Sequence, residues 1–346
     1  MQLSLQKRLL QRLQDIDQKK LPRVHVVMLP DFFVDHVLCF DSVETTCNDI
    51  KTIAEQGGGN IPGIPQRIHQ GGNAANTALG LARLGINAHL ICQTDSFGSY
   101  ILKYFLGKNG VDLSGVKNDG ALACTTAVEF RKHHANIMFG DPGSVATFSF
   151  ERLTDHDFEL ITSANLVGVT NWNLNRFGTD LACNVFQIAK KQNVRTFFDS
   201  GDPSPRRHDI PNLIQKVLMN PDLDILGLNE NELRYYSHSN CVTQTEMITA
   251  AESLKKTIQA RIDLHTSFFS SSFHRTSTVI PTIPLSMVNR LTGAGDAWNA
   301  ANIFGDLLGF ADDERLLFAN IAAGQYISSP DVIHSTIDMV INYIKN

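Results

Sequence analysis

Leu166-Val167-Gly168-Val169-Thr170, an amphipathic stretch over 179–192 and then Thr196-Phe197-Phe198-Asp199 form one short apolar run, one longer segment and a second apolar run. Apolar runs of this length, bounded by polar residues, suit strands buried on both faces, and the segment between them has the length of a crossover helix. The unit recurs in both directions. Upstream lie Val24–Leu29, closed by Pro30 and Asp31, and Ala88–Cys92; downstream lie Ile225–Leu228 and Ile262–His265. Helices are predicted around 73–84, 99–109, 244–259, 295–309 and 312–328. Such alternation means parallel strands joined by right-handed crossovers, hence a three-layer α/β sandwich with a mostly parallel central sheet.

Three regions depart from that rhythm. In residues 1–20, Leu5, Leu9, Leu13 and Ile16 fall on one face of an N-terminal helix. Residues 35–69, with Gly57-Gly58-Gly59 and Pro62-Gly63-Ile64-Pro65, and residues 121–150, which alternate through Ala123, Thr125, Ala127 and Glu129, do not resemble crossover helices. They read as a small β lid over a substrate site, inserted in one domain spanning 1–346.

The chain has 346 residues, a net charge of -5 and a composition of 43% hydrophobic and 19% charged residues, which suits a globular protein with a large core. The negative balance excludes a nucleic-acid or membrane-surface role, since phosphate-rich partners require a basic footprint. Cys39, Cys47, Cys92, Cys124, Cys183 and Cys241 are scattered without a CxxC pair, the pattern of free thiols rather than of a zinc site or disulfide framework. Charges interrupt residues 1–20, so no signal peptide is expected, and the expected compartment is the cytoplasm. Adjacent His133 and His134 point to opposite faces if they lie on a strand, so a lid turn suits them better than a shared metal ion.

Three motifs carry chemistry. In Leu291-Thr292-Gly293-Ala294-Gly295-Asp296-Ala297-Trp298-Asn299, small residues precede a helix, so backbone N–H groups and the positive end of the helix dipole can converge on an anion. Asp296 beside them serves either as a base for phosphoryl transfer to an alcohol or as a helix cap. In Gly71-Gly72-Asn73-Ala74-Ala75-Asn76, paired glycines allow close backbone approach, and Asn76 offers an amide to sugar hydroxyls; a tight turn before a packed helix is the other reading. Asn229-Glu230-Asn231-Glu232 follows a strand end, where oxygen ligands suit Mg²⁺ on a triphosphate, or where acidic residues simply favour a helical first turn. No GxxxxGK[ST] motif is present, and the 293–298 stretch lacks the third glycine of a dinucleotide fingerprint.

In order and spacing these motifs resemble the ribokinase or phosphofructokinase-B family of carbohydrate kinases, from about residue 24 onward. The resemblance implies ATP-dependent phosphorylation of a sugar, with a nucleoside as the competing acceptor, on a ribokinase-like sandwich with a β lid. A nucleotide- or sugar-binding regulator without catalysis is the rival reading. The resemblance makes Asp296 the base and Gly293, Ala294 and Gly295 the anion hole. Glu232 and Asn229 would hold Mg²⁺ through water. Asp35, with Asp31, Gly71, Gly72 and Asn76, would meet the acceptor, and Asn229, Thr266, Thr292, Gly295 and Asn320 would meet the nucleotide. A homodimer through the lid is also expected.

The match has departures. The family's aspartate before the second glycine signature is replaced in Arg290-Leu291-Thr292. An arginine there either repels K⁺ and itself supplies a fixed positive charge, so that no K⁺ is required, or simply points into solvent. The glycine-containing turn at the nucleotide is replaced by His265-Thr266-Ser267-Phe268-Phe269, and Gln93-Thr94-Asp95-Ser96-Phe97-Gly98 lacks a glycine common before its aspartate.

Overall fold

The computed structural model describes residues 2–133, 135–290 and 292–346, so His134 and Leu291 of the stretches quoted above lie outside the described residues. Fourteen strands are present among them, numbered in chain order. They are β1 (His25–Leu29), β2 (Phe33–Phe40), β3 (Gln66–Gly71), β4 (Asn87–Leu90), β5 (Cys92–Gln93), β6 (Val116–Lys117) and β7 (Ala123–Phe130). Then follow β8 (Ala135–Asp141), β9 (Leu166–Thr170), β10 (Arg195–Asp199), β11 (Ile225–Asn229), β12 (Arg261–His265), β13 (Phe269–Phe273) and β14 (Ser277–Pro281).

The main sheet runs β14-β13-β12-β11-β10-β9-β1-β4; from β12 to β4 every pairing is parallel, and β13 and β14 are added antiparallel at one edge. Alternation along each strand divides the core. Val26 and Met28 face one layer with the helices Asn73–Arg83, Ala294–Leu307 and Asp312–Ser328, while Val27 and Leu29 face the other with Gly178–Lys191 and Gln244–Lys255. Leu5, Leu9 and Leu13 of the N-terminal helix Gln2–Gln14 pack on the first layer, as their spacing predicts. The expected strands from Leu166–Thr170 to Ile262–His265 are found within one residue of their predicted bounds.

The two irregular stretches supply a separate sheet, β3-β2-β7-β8. One expectation needs correcting: 35–69 is not β structure throughout, because Val43–Glu55 is a helix capped by Ser42, whose Oγ accepts from Thr45 N at 3.3 Å. That helix buries little besides Thr46, although Val43, Cys47, Ile50 and Ala54 keep helical spacing. The register of the small sheet sets Asp35 opposite His69 on β3 and Thr125 on β7. Since side chains alternate, Asp35, Arg67, His69, Thr125 and Glu129 point to one face of this sheet. His133 is in the turn between β7 and β8, where its Nε2 lies 3.1 Å from Glu44 Oε2.

Candidate active site

The carboxyl ends of β1, β9, β10, β11 and β12 deliver their following residues to one end of the main sheet, the place where open α/β sheets bind ligands. A cleft of about 560 Å³ opens there. Its floor includes Asp199, Asn229 and His265 from strand ends and Glu232 from the helix Glu230–Ser237, and its wall includes Asp35 and Thr125 from the small sheet. Thr292, Gly293, Gly295 and Asp296 complete it.

Gly293 has φ 81°, a left-handed conformation that a side chain resists, and a Cβ there would strike the Tyr326 hydroxyl. It begins the helix Ala294–Leu307, whose N-terminus carries no side-chain cap. The donors of that first turn therefore remain available to an anion, with the helix dipole behind them. Asp296 is buried in the same turn, and its Oδ2 accepts from Asn76 Nδ2 at 3.0 Å. Burial pushes its carboxyl well above the ordinary range, the Asn76 bond opposes this, and the charges of Asp199, Asp31 and Asp35 add to it. Asp35 is raised to about 6, chiefly by burial, with a Thr125 hydrogen bond opposing.

Gly72 and Asn76 line the cleft beside Asp35. The glycine pair makes room first for the protein's own carboxylates. A Cβ on Gly71 would run into the Asp35 carboxylate, and one on Gly72, at φ 96°, would lie 2.8 Å from Asp31 Oδ2.

Asp31 is a correction. It is wholly buried and does not line the cleft, because its oxygens accept from Asn73 N (2.6 Å), Ala74 N (3.0 Å), Thr170 Oγ1 (2.9 Å) and Asn171 Nδ2 (2.9 Å). It caps the helix Asn73–Arg83 and so positions Asn76. Asn320 is also turned inward: its Oδ1 accepts from Trp298 Nε1 at 3.0 Å and its Nδ2 donates to Pro281 O at 3.1 Å. The Thr266 hydroxyl closes its own turn, accepting from Phe268 N and Phe269 N and donating to Phe269 O at 2.8 Å. Neither side chain is free for a nucleotide in this arrangement.

Asn229 and Glu232 form a reciprocal cap: Asn229 N donates to Glu232 Oε2 at 2.8 Å, and Asn229 Oδ1 accepts from Glu232 N at 3.0 Å. Burial raises the Glu232 carboxyl well above its usual range, and the neighbouring charges of Asp199 and Asp202 raise it further. Concentrated negative potential of this kind fits a hard cation. Among the described residues, however, no cluster of three or more His, Cys, Asp or Glu could hold a metal ion directly.

Sequence reasoning passed over two cleft residues. Asp199 was seen only as a strand end; its Oδ2 accepts from Asn299 Nδ2 at 2.6 Å and its Oδ1 from Gly201 N at 2.9 Å. His265 stacks on Trp298 with centroids 5.0 Å apart, and burial lowers it to about 4, so it is neutral at physiological pH. Both sit at the carboxyl ends of parallel strands, the signal that could have found them.

Arg290 does not point into solvent. It is half-buried under the small sheet, with Nη2 donating to Pro330 O at 3.0 Å and its guanidinium 5.9 Å from the Tyr326 ring centroid.

Comparisons with known proteins bear on the fold and the family. A 5-dehydro-2-deoxygluconokinase from Clostridium perfringens is 24% identical over 289 residues, covering 80% of this chain and 83% of that protein. Among solved structures, Arabidopsis thaliana ribokinase complexed with ribose and ATP superposes with a TM-score of 0.76 at 21% identity, over 93% of this chain and 99% of that one. The adenosine kinase of Sinorhizobium meliloti gives 0.75 at 16% identity, over 93% and 98%. These similarities establish a ribokinase-like fold. The family described as pfkB family carbohydrate kinase matches residues 34–339. With nearly the whole length matched, the chain belongs to the pfkB family of carbohydrate kinases, phosphotransferases that act on a sugar hydroxyl.

Proposed function

We propose that this kinase moves the terminal phosphoryl group of ATP to a hydroxyl of a small sugar, with Asp296 as general base and the Gly293–Gly295 turn as the anion site. One observation carries the reading: a buried, proton-hungry carboxylate at an uncapped helix N-terminus, facing an open cleft. The acceptor hydroxyl donates to Asp296 and attacks in line as its proton passes to the carboxylate. The amides of the 293–295 turn meet the charge on the transferring group. Asn76 holds Asp296 at a fixed angle, and Asp35, Gly72 and Asn76 bind the other hydroxyls. Mg²⁺ carried on the triphosphate would be held through water by Glu232 and Asn229, where it would neutralise phosphate charge. On the nucleotide side, Thr292, Gly295 and Asn229 remain as contacts, since Thr266 and Asn320 are occupied.

The small sheet acts as a lid that excludes water when the acceptor is bound. Its outer face exposes Ile68, Ile137 and Phe139, which suits a second copy of the chain as a cover.

The test is ATP consumption across a panel of sugars, sugar derivatives and nucleosides. At least one sugar should be phosphorylated at a rate indifferent to exchanging K⁺ for a large inert cation, because Arg290 stands where a monovalent cation would be repelled. Preferred turnover of a nucleoside would move the assignment to nucleoside kinase. A failure of every acceptor to consume ATP would favour a regulator on this scaffold.

A further inference from the structure

We propose that the acceptor is a sugar acid whose carboxylate is received by Arg290. The inference rests on the acceptor-site reading above and names the class of molecule that enters it. The alternation of the small sheet aims Arg67, His69 and Glu129 toward a recess of about 50 Å³ that shares Asp35, Asn76, Thr125 and Gly293 with the main cleft. An acceptor with its reacting hydroxyl at Asp296 extends its far end into this recess.

The charges in the recess are not equally compensated. Arg67 Nη2 lies 3.5 Å from Glu129 Oε2 and donates to Cys39 Sγ at 3.2 Å, so it has an internal counter-ion. Burial, and further the charges of Arg290 and Arg67, lower the His69 imidazole below its ordinary range. Arg290 meets the Pro330 carbonyl and Tyr326, with whose side chain it shares a hydrogen bond, but it pairs with no carboxylate among the described residues, and its Nε–H is buried without an acceptor.

A buried donor left unpaired is costly, and a guanidinium cannot shed its charge by losing a proton. A ligand carboxylate satisfies both needs, because its two coplanar oxygens match the guanidinium fork. A carboxylate fits better than a phosphate monoester. The recess offers one uncompensated cation, and a dianion would also confront Asp35 and Glu129 on its walls.

The experiment is calorimetric titration of the full chain, without nucleotide, with small aldonates and uronates. Each is paired with its neutral amide, and the corresponding sugar phosphates are included. The best acid should bind about 10- to 100-fold more tightly than its amide, the range of a hydrogen bond to a charged group. Arg290→Met should reduce that ratio by about tenfold or more, and Arg290→Lys, which keeps the charge but loses the fork, should fall between the two. Equal binding of acid and amide by the unsubstituted chain, a ratio that survives Arg290→Met, or tighter binding of the phosphates would each overturn the proposal. The acid-to-amide comparison on the unsubstituted chain decides even if a variant does not fold. The kinase reading fails separately: acids that bind with the expected ratio but never stimulate ATP consumption would sink it and leave the carboxylate site standing. Turnover of neutral sugars with no preference for acids would do the reverse.

Discussion

Asp263 and Asp296 are both buried carboxylates, and the fold treats them in opposite ways. Asp263, on β12, is surrounded by donors. Arg261 and Arg315 reach it with contacts as short as 2.9 Å, and Ser272 Oγ and Asn302 Nδ2 donate at 2.7 and 2.9 Å. Burial pushes its carboxyl upward, but the two guanidinium charges overcome that and hold it below the usual range. Asp296 has one donor, Asn76, and its charged neighbours Asp199, Asp31 and Asp35 are all acidic. The first carboxylate is neutralised by the protein and holds β12, β13 and the helices at 294–307 and 312–328 together. The second is left for a ligand's proton or cation to neutralise, and that leaves free energy available for chemistry.

The linkage signs follow. The folded value of Asp263 lies below the unfolded one, so its contribution is present above the ordinary aspartate range and lost as pH falls through the folded value. The folded value of Asp296 lies above the unfolded one. Protonation then favours the folded state, and stability declines as pH rises from the ordinary range through the raised value.

The largest expected effect tests the cleft. Asp296→Asn should lower kcat by about 10²–10⁴-fold, the worth of a positioned base. The same change should raise Tm at neutral pH, because a buried charge among other carboxylates is removed. Normal turnover in that variant would reassign the base. Asp263→Asn should behave in the opposite way. It removes the buried carboxylate that Arg261 and Arg315 share, leaving them only Asp306 and Asp312, so denaturant unfolding should show a loss of about 3–5 kcal/mol, while kcat/KM of the folded fraction stays unchanged. If Asp296→Asn destabilises as much as Asp263→Asn, the contrast between the two sites is wrong. The smallest effect concerns Asn76. Its hydrogen bond restrains the upward push on Asp296, so Asn76→Ala should move the acid limb of the kcat/KM profile to higher pH. An unmoved limb would mean that this bond does not tune the base.

Much of this was legible locally. Strands buried on both faces announced themselves as short apolar runs, and helix starts were legible at 293–296 and 229–232, but the burial of Glu232 in a reciprocal cap was not. The β13 strand did not, because Phe269-Ser270-Ser271-Ser272-Phe273 looks like a polar loop. Its serines are buried, and Ser272 is satisfied by Asp263 and Arg315, partners that local pattern does not reveal. The helix Val43–Glu55 was legible in the spacing of Val43, Cys47, Ile50 and Ala54, but the glycines and prolines of 57–65 that follow it carried the reading of the whole stretch.

Asp31 and Asp35 mark the boundary between what the chain spells out and what folding decides. The sequence by itself determined the α/β layering, the glycine-led helix terminus and the presence of two aspartates after the first strand, because backbone geometry and apolar periodicity are local properties. Only the tertiary structure decided that Asp31 is consumed by four internal donors while Asp35 faces the cleft, that Asn320 and Thr266 are occupied, and that Arg290 lacks a counter-ion. Asp31, Asn320 and Arg290 depend on partners brought from distant parts of the chain, Asp35 on the register of the small sheet, and Thr266 on the turn that joins β12 to β13.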